Sequence, residues 1–569
     1  MHPKLFPAPI NSKEGERWGY IDVRGDFRIQ PQYGMANDFQ KNGLAIVEAE
    51  NGNYGVIDTK GHFIVNPNYQ FISPYQDGRA VASDQKGFGV IDERGNVLTN
   101  TYYNFIGSYQ DDVAVFSQKT EAGTLYGYLN KKGEEAIPAQ YLFAEGFKER
   151  KALVKIHENQ YALLNKEGKL LYTYPYPYVG QRGDGLLAFQ RDTDGKYGYI
   201  NERGKVVLET QYDGAQAFRD GRAVVNRIDD YLYYYGLINK SGKKIVDIEY
   251  NDIEQLGENR ISVGKAVNAD QPYLGSLYAI ATSNGELLSD YRYESVLPYK
   301  KSLASAHDRE HTFFLNRKGK IAQNLPILPG QGTLSIEGPL IKAKIDYQIY
   351  YVNYAGEIVW RPRKTIRLNN QYRVLQMKYK PNPDYLVYYP IVRGMEDVVA
   401  QREVNDRLKE YSQVKPIPSD QQLEYSYYGN FEIEFFQKEL LVLELNGSQY
   451  YFGAAHPMPT KIYTNINLAD GEFFELKDLF KPGSSYVEVI SEIVAAQIAE
   501  DENNFYVFPD AYQGIKPDQP YYVNNESLFV YFPPYEIAPY VAGFVTFEIP
   551  FSEIIDIIDQ KGAFWRAFH

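Results

Sequence analysis

His307 and His311 stand four residues apart with Glu310 between them, in the stretch HDREH. H-x-x-E-H lets a helix offer two histidines to a zinc ion, one turn apart, with a glutamate as proton acceptor. A second candidate is His456, followed by Pro457 in GAAHP. An imidazole titrates near neutral pH, so it can move a proton or take a charged partner. As a catalyst it needs a nucleophile or metal within reach, and no neighbouring sequence supplies one. His456 therefore reads as a loop residue that satisfies a carbonyl while Pro457 fixes the turn, or as a contact to a partner. The chain has no cysteine, which removes thiol nucleophiles, disulfides and thiolate zinc sites. No phosphate loop, dinucleotide fingerprint, nucleophile elbow or EF-hand loop occurs. Asp192 and Asp194 in RDTDGKYG lack the closing glutamate of a calcium loop and read as a hairpin turn. Asp501 and Glu502 read as a solvated helix end. The expectation is no catalytic residue, no metal and no cofactor.

The elements around these residues decide between the readings. An Asp/Asn-x-x-Gly tetrad recurs through the first two thirds, ending at Gly25, Gly61, Gly95, Gly133, Gly168, Gly204, Gly242 and Gly285, with worn copies at Gly319 and Gly356. The spacing is 34 to 43 residues. Such a tetrad is a type I turn whose first side chain caps it and whose glycine takes positive φ. Apolar runs flank it, so each copy opens with a β-hairpin. Eight residues past the glycine stands a tyrosine in the first eight copies, among them Tyr33, Tyr69, Tyr141, Tyr212 and Tyr250. A second glycine turn and another apolar run follow, giving about four short strands per unit. Units this small bury their apolar faces only by stacking on neighbours. In this register His307–Glu310 is the polar turn between the eighth and ninth copies, and His311 opens a strand. The two histidines then diverge, which weighs against zinc.

The repeated Trp18-Gly19 dipeptide, with Tyr or Phe before the glycine elsewhere, resembles the WG-repeat (KWG) family over roughly residues 15–360. That resemblance implies a repeat surface for binding or scaffolding. The fold expected for residues 1–365 is a mainly β, ten-unit hairpin array, open and solenoid-like, with a closed propeller as the alternative. Unequal spacing and worn final copies favour the open form. Repeated aromatics read as packing. Aromatic clusters outside strict register, YTYPYPY (172–178) and YLYYY (231–235), are the candidates for stacking on sugars.

Residues 366–569 lose the period. Helical spacing of Met395, Val398, Val399, Leu408 and Tyr411 predicts a helix within 389–411, and Ser485-x-x-Glu488 caps a second. Alternation over 431–445 and 526–555 predicts strands, so this is an α+β module. Its segments YYFGAAHPMPT and PYEIAPYVAG resemble the extracytoplasmic domain of the lysozyme-sensing anti-sigma-V factor, and the non-catalytic N-terminal region of some peptidoglycan deacetylases. That family usually has glycine where Ala454 stands. The resemblance implies a protein partner, of which lysozyme, a strongly basic protein, is the type.

Charge agrees with such a partner. The net charge is -13. From Ile366 onward there are 16 Lys and Arg against 29 Asp and Glu, so the excess lies wholly in the C-terminal module. An acidic module repels nucleic acid. No run of about 18 apolar residues spans a membrane, and the N-terminus has no signal-peptide pattern. The sequence as given thus reads as cytoplasmic, whereas the C-terminal resemblance points to the cell envelope. The function expected is a non-enzymatic binding or scaffold protein for a cationic protein such as lysozyme, or for an envelope component. The alternatives are a carbohydrate or peptidoglycan binder using repeat aromatics, and a zinc peptidase at His307 and His311.

Overall fold

A computed structural model describes residues 4–121, 123–500, 507–508 and 510–569; Asp501 and Glu502 lie outside them. The chain divides into two compact units, one of Met1–Pro9 with Arg17–Arg361 and one of Ile10–Glu16 with Pro362–His569.

Among the described residues the first unit consists of ten small antiparallel sheets of three or four strands, none of which closes into a barrel. Each hairpin turns on its tetrad, led by Asp or Asn except at Thr282, whose hydroxyl accepts in their place. In Asn201–Gly204 the Asn201 side chain accepts from the N–H groups of Arg203 and Lys205, and Gly204 has φ +80°. Central strands are buried on both faces. Along Ala45–Glu48, Ala45 and Val47 pack toward the first sheet, while Ile46 joins Val56, Tyr75 and Ala80 of the second and third. Alternating side chains point to opposite faces, so each sheet needs a neighbour on both sides.

One phenol recurs at these interfaces, supplied from either side. Tyr20, Tyr128 and Tyr199 each meet a phenylalanine of the next sheet (Phe39, Phe147, Phe218) tilted or edge-on, with ring centroids 4.7–4.8 Å apart. Their hydroxyls donate to the next sheet's backbone at Asn37, Glu145 and Gln216, at 2.7–2.8 Å. Where the strand position is instead Val56, Val90 or Ile280, the packing partner is Tyr75, Tyr109 or Tyr299. Those three tyrosines donate to the turn carbonyls of Asp92, Asn130 and Asn316. Volume and one buried donor are conserved by exchanging a large and a small residue across the gap.

The tenth sheet meets the first in the same way. Tyr351 donates to the Pro7 carbonyl at 2.8 Å and lies 5.3 Å from the Phe6 ring. Lys342, buried, reaches further, pairing at 2.8 Å with Asp38 between the first two strands of the second sheet. The turn glycines repeat the pattern. A Cβ on Gly95 would lie 2.8 Å from the Ile64 carbonyl oxygen of the preceding sheet, and one on Gly285 2.7 Å from that of Ile245. A Cβ on Gly25, in the first sheet, would lie 2.5 Å from that of Val359, in the tenth. These contacts join the last sheet of the array to its beginning, as the closed alternative requires. The worn copies have lost the tyrosine eight residues past the turn, yet they keep the interface residues Tyr351 and Gly356.

In the second unit a six-stranded sheet runs in sequence order from Thr365–Arg367 to Met458–Asn467. All neighbours are antiparallel except Tyr385–Arg393 with Tyr425–Gln437, which the helix α1 (Val398–Tyr411) connects. Leu441, Leu443 and Leu445 pack toward α1, while Leu440 and Val442 pack toward α2 (Tyr486–Glu500) and the three-stranded sheet of Tyr521–Val523, Ser527–Phe532 and Val545–Pro550. The helix predicted within 389–411 starts later than its apolar stripe implied. Residues 389–393 extend a strand, and Asp397 caps α1 by accepting from the N–H groups of Val399 and Ala400. The buried face is Ala400, Val404 and Leu408, and Val398 and Val399 are exposed.

If the joint between tenth and first sheets equals an interior one, Tyr351→Phe and Tyr128→Phe lose the same kind of buried hydrogen bond. Each should cost about 1 kcal/mol in denaturant unfolding. A free tenth sheet would make the Tyr351 change neutral.

Candidate functional site

The zinc pattern lies in a β-hairpin. His307 ends the strand Leu303–His307 and His311 begins His311–Asn316. Asp308 closes the turn, accepting from the N–H groups of Glu310 and His311. His307 Nδ1 lies 3.7 Å from Glu294. Among the described residues no group of three or more His, Asp or Glu side chains has metal-holding geometry.

The repeat residues sit inside their own hairpins. Trp18 stands opposite Tyr33, Tyr54 opposite Tyr69, Tyr126 opposite Tyr141, Tyr197 opposite Tyr212 and Tyr235 opposite Tyr250, each beside a register shift. The shift presses third-strand backbone onto the WG glycine. A Cβ on Gly19 would lie 2.5 Å from the Ile29 carbonyl oxygen, and one on Gly198 2.5 Å from that of Leu208. The glycine therefore leaves room for its own hairpin's backbone.

His456 is placed by contacts from far along the chain. It lies in the connection between Leu440–Tyr451 and Met458–Asn467, where Gly453 turns the chain with φ +84°. Ala454 stays outside the left-handed region, so glycine is not required there. The imidazole stacks on Tyr540 at 3.9 Å, and its Nε2 lies 3.2 Å from the Tyr535 hydroxyl. Tyr540 donates to the Pro457 carbonyl at 2.7 Å. The segments GAAHP and PYEIAPYVAG thus clasp each other across some eighty residues of chain. Tyr535 is 52% exposed and has φ +70°, a conformation that costs an aromatic residue energy. Val541, next to Tyr540 in the chain, is 78% exposed. The sequence singled out His456 and Pro457 but not Tyr535 and Tyr540. Their only signal was the PYEIAPYVAG segment itself.

Among the described residues His456 touches two phenols and a carbonyl, with no nucleophile. That arrangement suits contact rather than proton transfer. On the large sheet Glu444 stands across from Glu432 on one side and Tyr463 on the other. Burial alone would raise Glu444, but hydrogen bonds from Tyr463, Lys461 and Asn446 hold it below the usual carboxylate range. Burial, then the Glu444 charge, push Glu432 and Glu434 up.

These two architectures define a β-repeat array and a separate α+β module. The array matches the family model described as WG containing repeat at residues 18–54, 54–84, 126–161, 197–230 and 235–265. Residues 477–552 match the family described as Protein of unknown function (DUF3298). Both resemblances read from the sequence are met by these matches. Anti-sigma-V factor RsiV of Bacillus subtilis (strain 168) is 26% identical over 184 residues, 30% of this chain and 63% of that protein. The chain thus spans less than two thirds of that relative's length. Among solved structures, a DUF3298 family member from Bacteroides fragilis NCTC 9343 is 17% identical, covering 33% of this chain and 92% of that one with a TM-score of 0.26. BamB from Moraxella catarrhalis is 14% identical, covering 50% and 91% with a TM-score of 0.29.

His456, Tyr535 and Tyr540 lie outside the two large cores of their unit, although Ile537 and Ala538 between the tyrosines are buried in one of them. His456→Ala should speed amide exchange in residues 452–457 and 535–541 by about tenfold while leaving the global melting temperature within a degree or so. A large global loss would make His456 part of the folding core instead.

Proposed function

We propose that the protein is a non-enzymatic binding protein whose C-terminal unit recognises a cationic protein, with lysozyme as the type of partner. The observation that carries this is the clasp. Two segments distant in sequence are pinned together so that Tyr535 and Val541 face solvent on a rigid base. Exposed aromatic and aliphatic anchors on a preorganised surface are what protein interfaces are built around. The surplus of 29 acidic over 16 basic residues beyond Ile366 favours a basic partner and speeds its encounter. The match to an anti-sigma-V factor supports the same class of role. His456, held by two phenols and a carbonyl, serves as the wedge that sets the anchor positions.

The full chain titrated with hen lysozyme should bind at low ionic strength. Affinity should fall about tenfold or more between low and physiological salt, as screening shortens the field. Tyr535→Ala with Val541→Ala should weaken binding mainly by faster dissociation. No binding at low salt, or binding untouched by the double variant, contradicts this reading.

A further inference from the structure

The first unit holds a cleft of about 770 Å³ between its fourth, fifth and sixth sheets, within the size range of small-molecule sites. Phe105 and Phe143 form part of its wall and keep 45% and 42% of their surface exposed. They occupy the same place in successive sheets, the first residue of the short leading strand. That place holds Met35, Phe71, Phe105, Phe143 and Tyr178 from the second sheet to the sixth, all of them exposed. It then holds Gly214, Asp252 and Ser295. An apolar row on half of the array, at a position free to vary, is not a requirement of packing, because the very next residue supplies the buried contact in each of these sheets but the seventh.

The polar groups of the cleft are sorted by what they already hold. Arg182 is tied to Glu202 and Glu149 at 3.0 and 2.8 Å, and Lys151 to Glu202 at 2.5 Å. Glu145 makes no side-chain hydrogen bond or salt bridge among the described residues, and neither do the amides of Gln110 and Gln181. Burial pushes the Glu145 carboxyl up to about 7. An anion finds only one uncommitted cation here, Lys148, and meets Glu145. A cation meets Lys148, Lys151 and Arg182. A hydroxyl-rich neutral ring suits all of it: its C–H face lies on a phenyl ring, and its hydroxyls pair with amides and a carboxyl that can both give and take.

We propose that this cleft binds a neutral oligosaccharide of pyranose rings, with Phe105 and Phe143 as stacking platforms and Gln110, Gln181 and Glu145 as hydroxyl partners. The site lies in the other unit from the clasp and does not rest on the cationic-partner reading. The test is calorimetric titration of the full chain with N-acetylglucosamine tetramer and with cellotetraose, preceded by a neutral-glycan array. At least one saccharide should bind with a Kd in the micromolar to millimolar range. Phe105→Ala with Phe143→Ala should weaken it about tenfold or more, and Glu145→Gln should weaken it less. Tyr347→Ala, at a hairpin tip of the tenth sheet and 78% exposed, should change nothing. Equal melting curves for these variants show that the fold is intact, as expected for exposed rings. No binding to any saccharide at millimolar concentration overturns the proposal, as does binding that the double phenylalanine variant leaves unchanged. Lysozyme binding would be unaffected by either outcome.

Discussion

A sheet of three or four short strands, apolar on both faces, cannot be stable alone. Every sheet of the first unit is of this kind, and its organisation follows from that fact. Each face needs a partner of complementary relief, and at six of the interfaces a phenol on one side meets a phenylalanine, or a smaller aliphatic residue meets a phenol. The buried hydroxyl finds a backbone acceptor each time, and so the polar atom carries little desolvation penalty. A linear stack leaves two faces uncovered at its ends. Joining the tenth sheet to the first through Tyr351 and Pro7 removes both at once.

Some of this was legible in the sequence, and some was not, for physical reasons. The Asx-x-x-Gly turn is local: its capping bonds and its positive φ involve four or five residues, so pattern and structure coincide. The hairpin placement of HDREH followed from the same register. The role of the WG glycine was half legible. Its need for space showed, but the register shift that brings the Ile29 carbonyl onto Gly19 depends on how a third strand is offset. The exchange of Tyr20 and Phe39 for Val56 and Tyr75 was hidden, since each residue alone reads only as apolar. Closure was hidden for a similar reason: its contacts join residues more than three hundred positions apart, and worn copies can lose one tyrosine while keeping the interface.

The candidate sites differ in the same respect. His456 stood out as a residue type, yet its role is set by Tyr535 and Tyr540, which reach it from about eighty residues away. In the array, constant positions build interfaces and variable positions face solvent. Apolar side chains at the variable position of five consecutive sheets are therefore informative in a way that the many invariant tyrosines are not. One chain thus combines a scaffold whose packing is repeated ten times with surfaces that are not repeated.

The closed array can be tested directly because the chain has no cysteine to interfere. Lys4 and Glu337 form an ion pair at 3.8 Å between the first and tenth sheets, and both are partly exposed. Cysteines placed at these two positions should be joined within one molecule by a short bifunctional maleimide. The yield should be near complete and independent of protein concentration, and the product should melt at a higher temperature because the unfolded chain is constrained. Linkage that appears only between molecules, or not at all, would mean that the tenth sheet does not rest on the first.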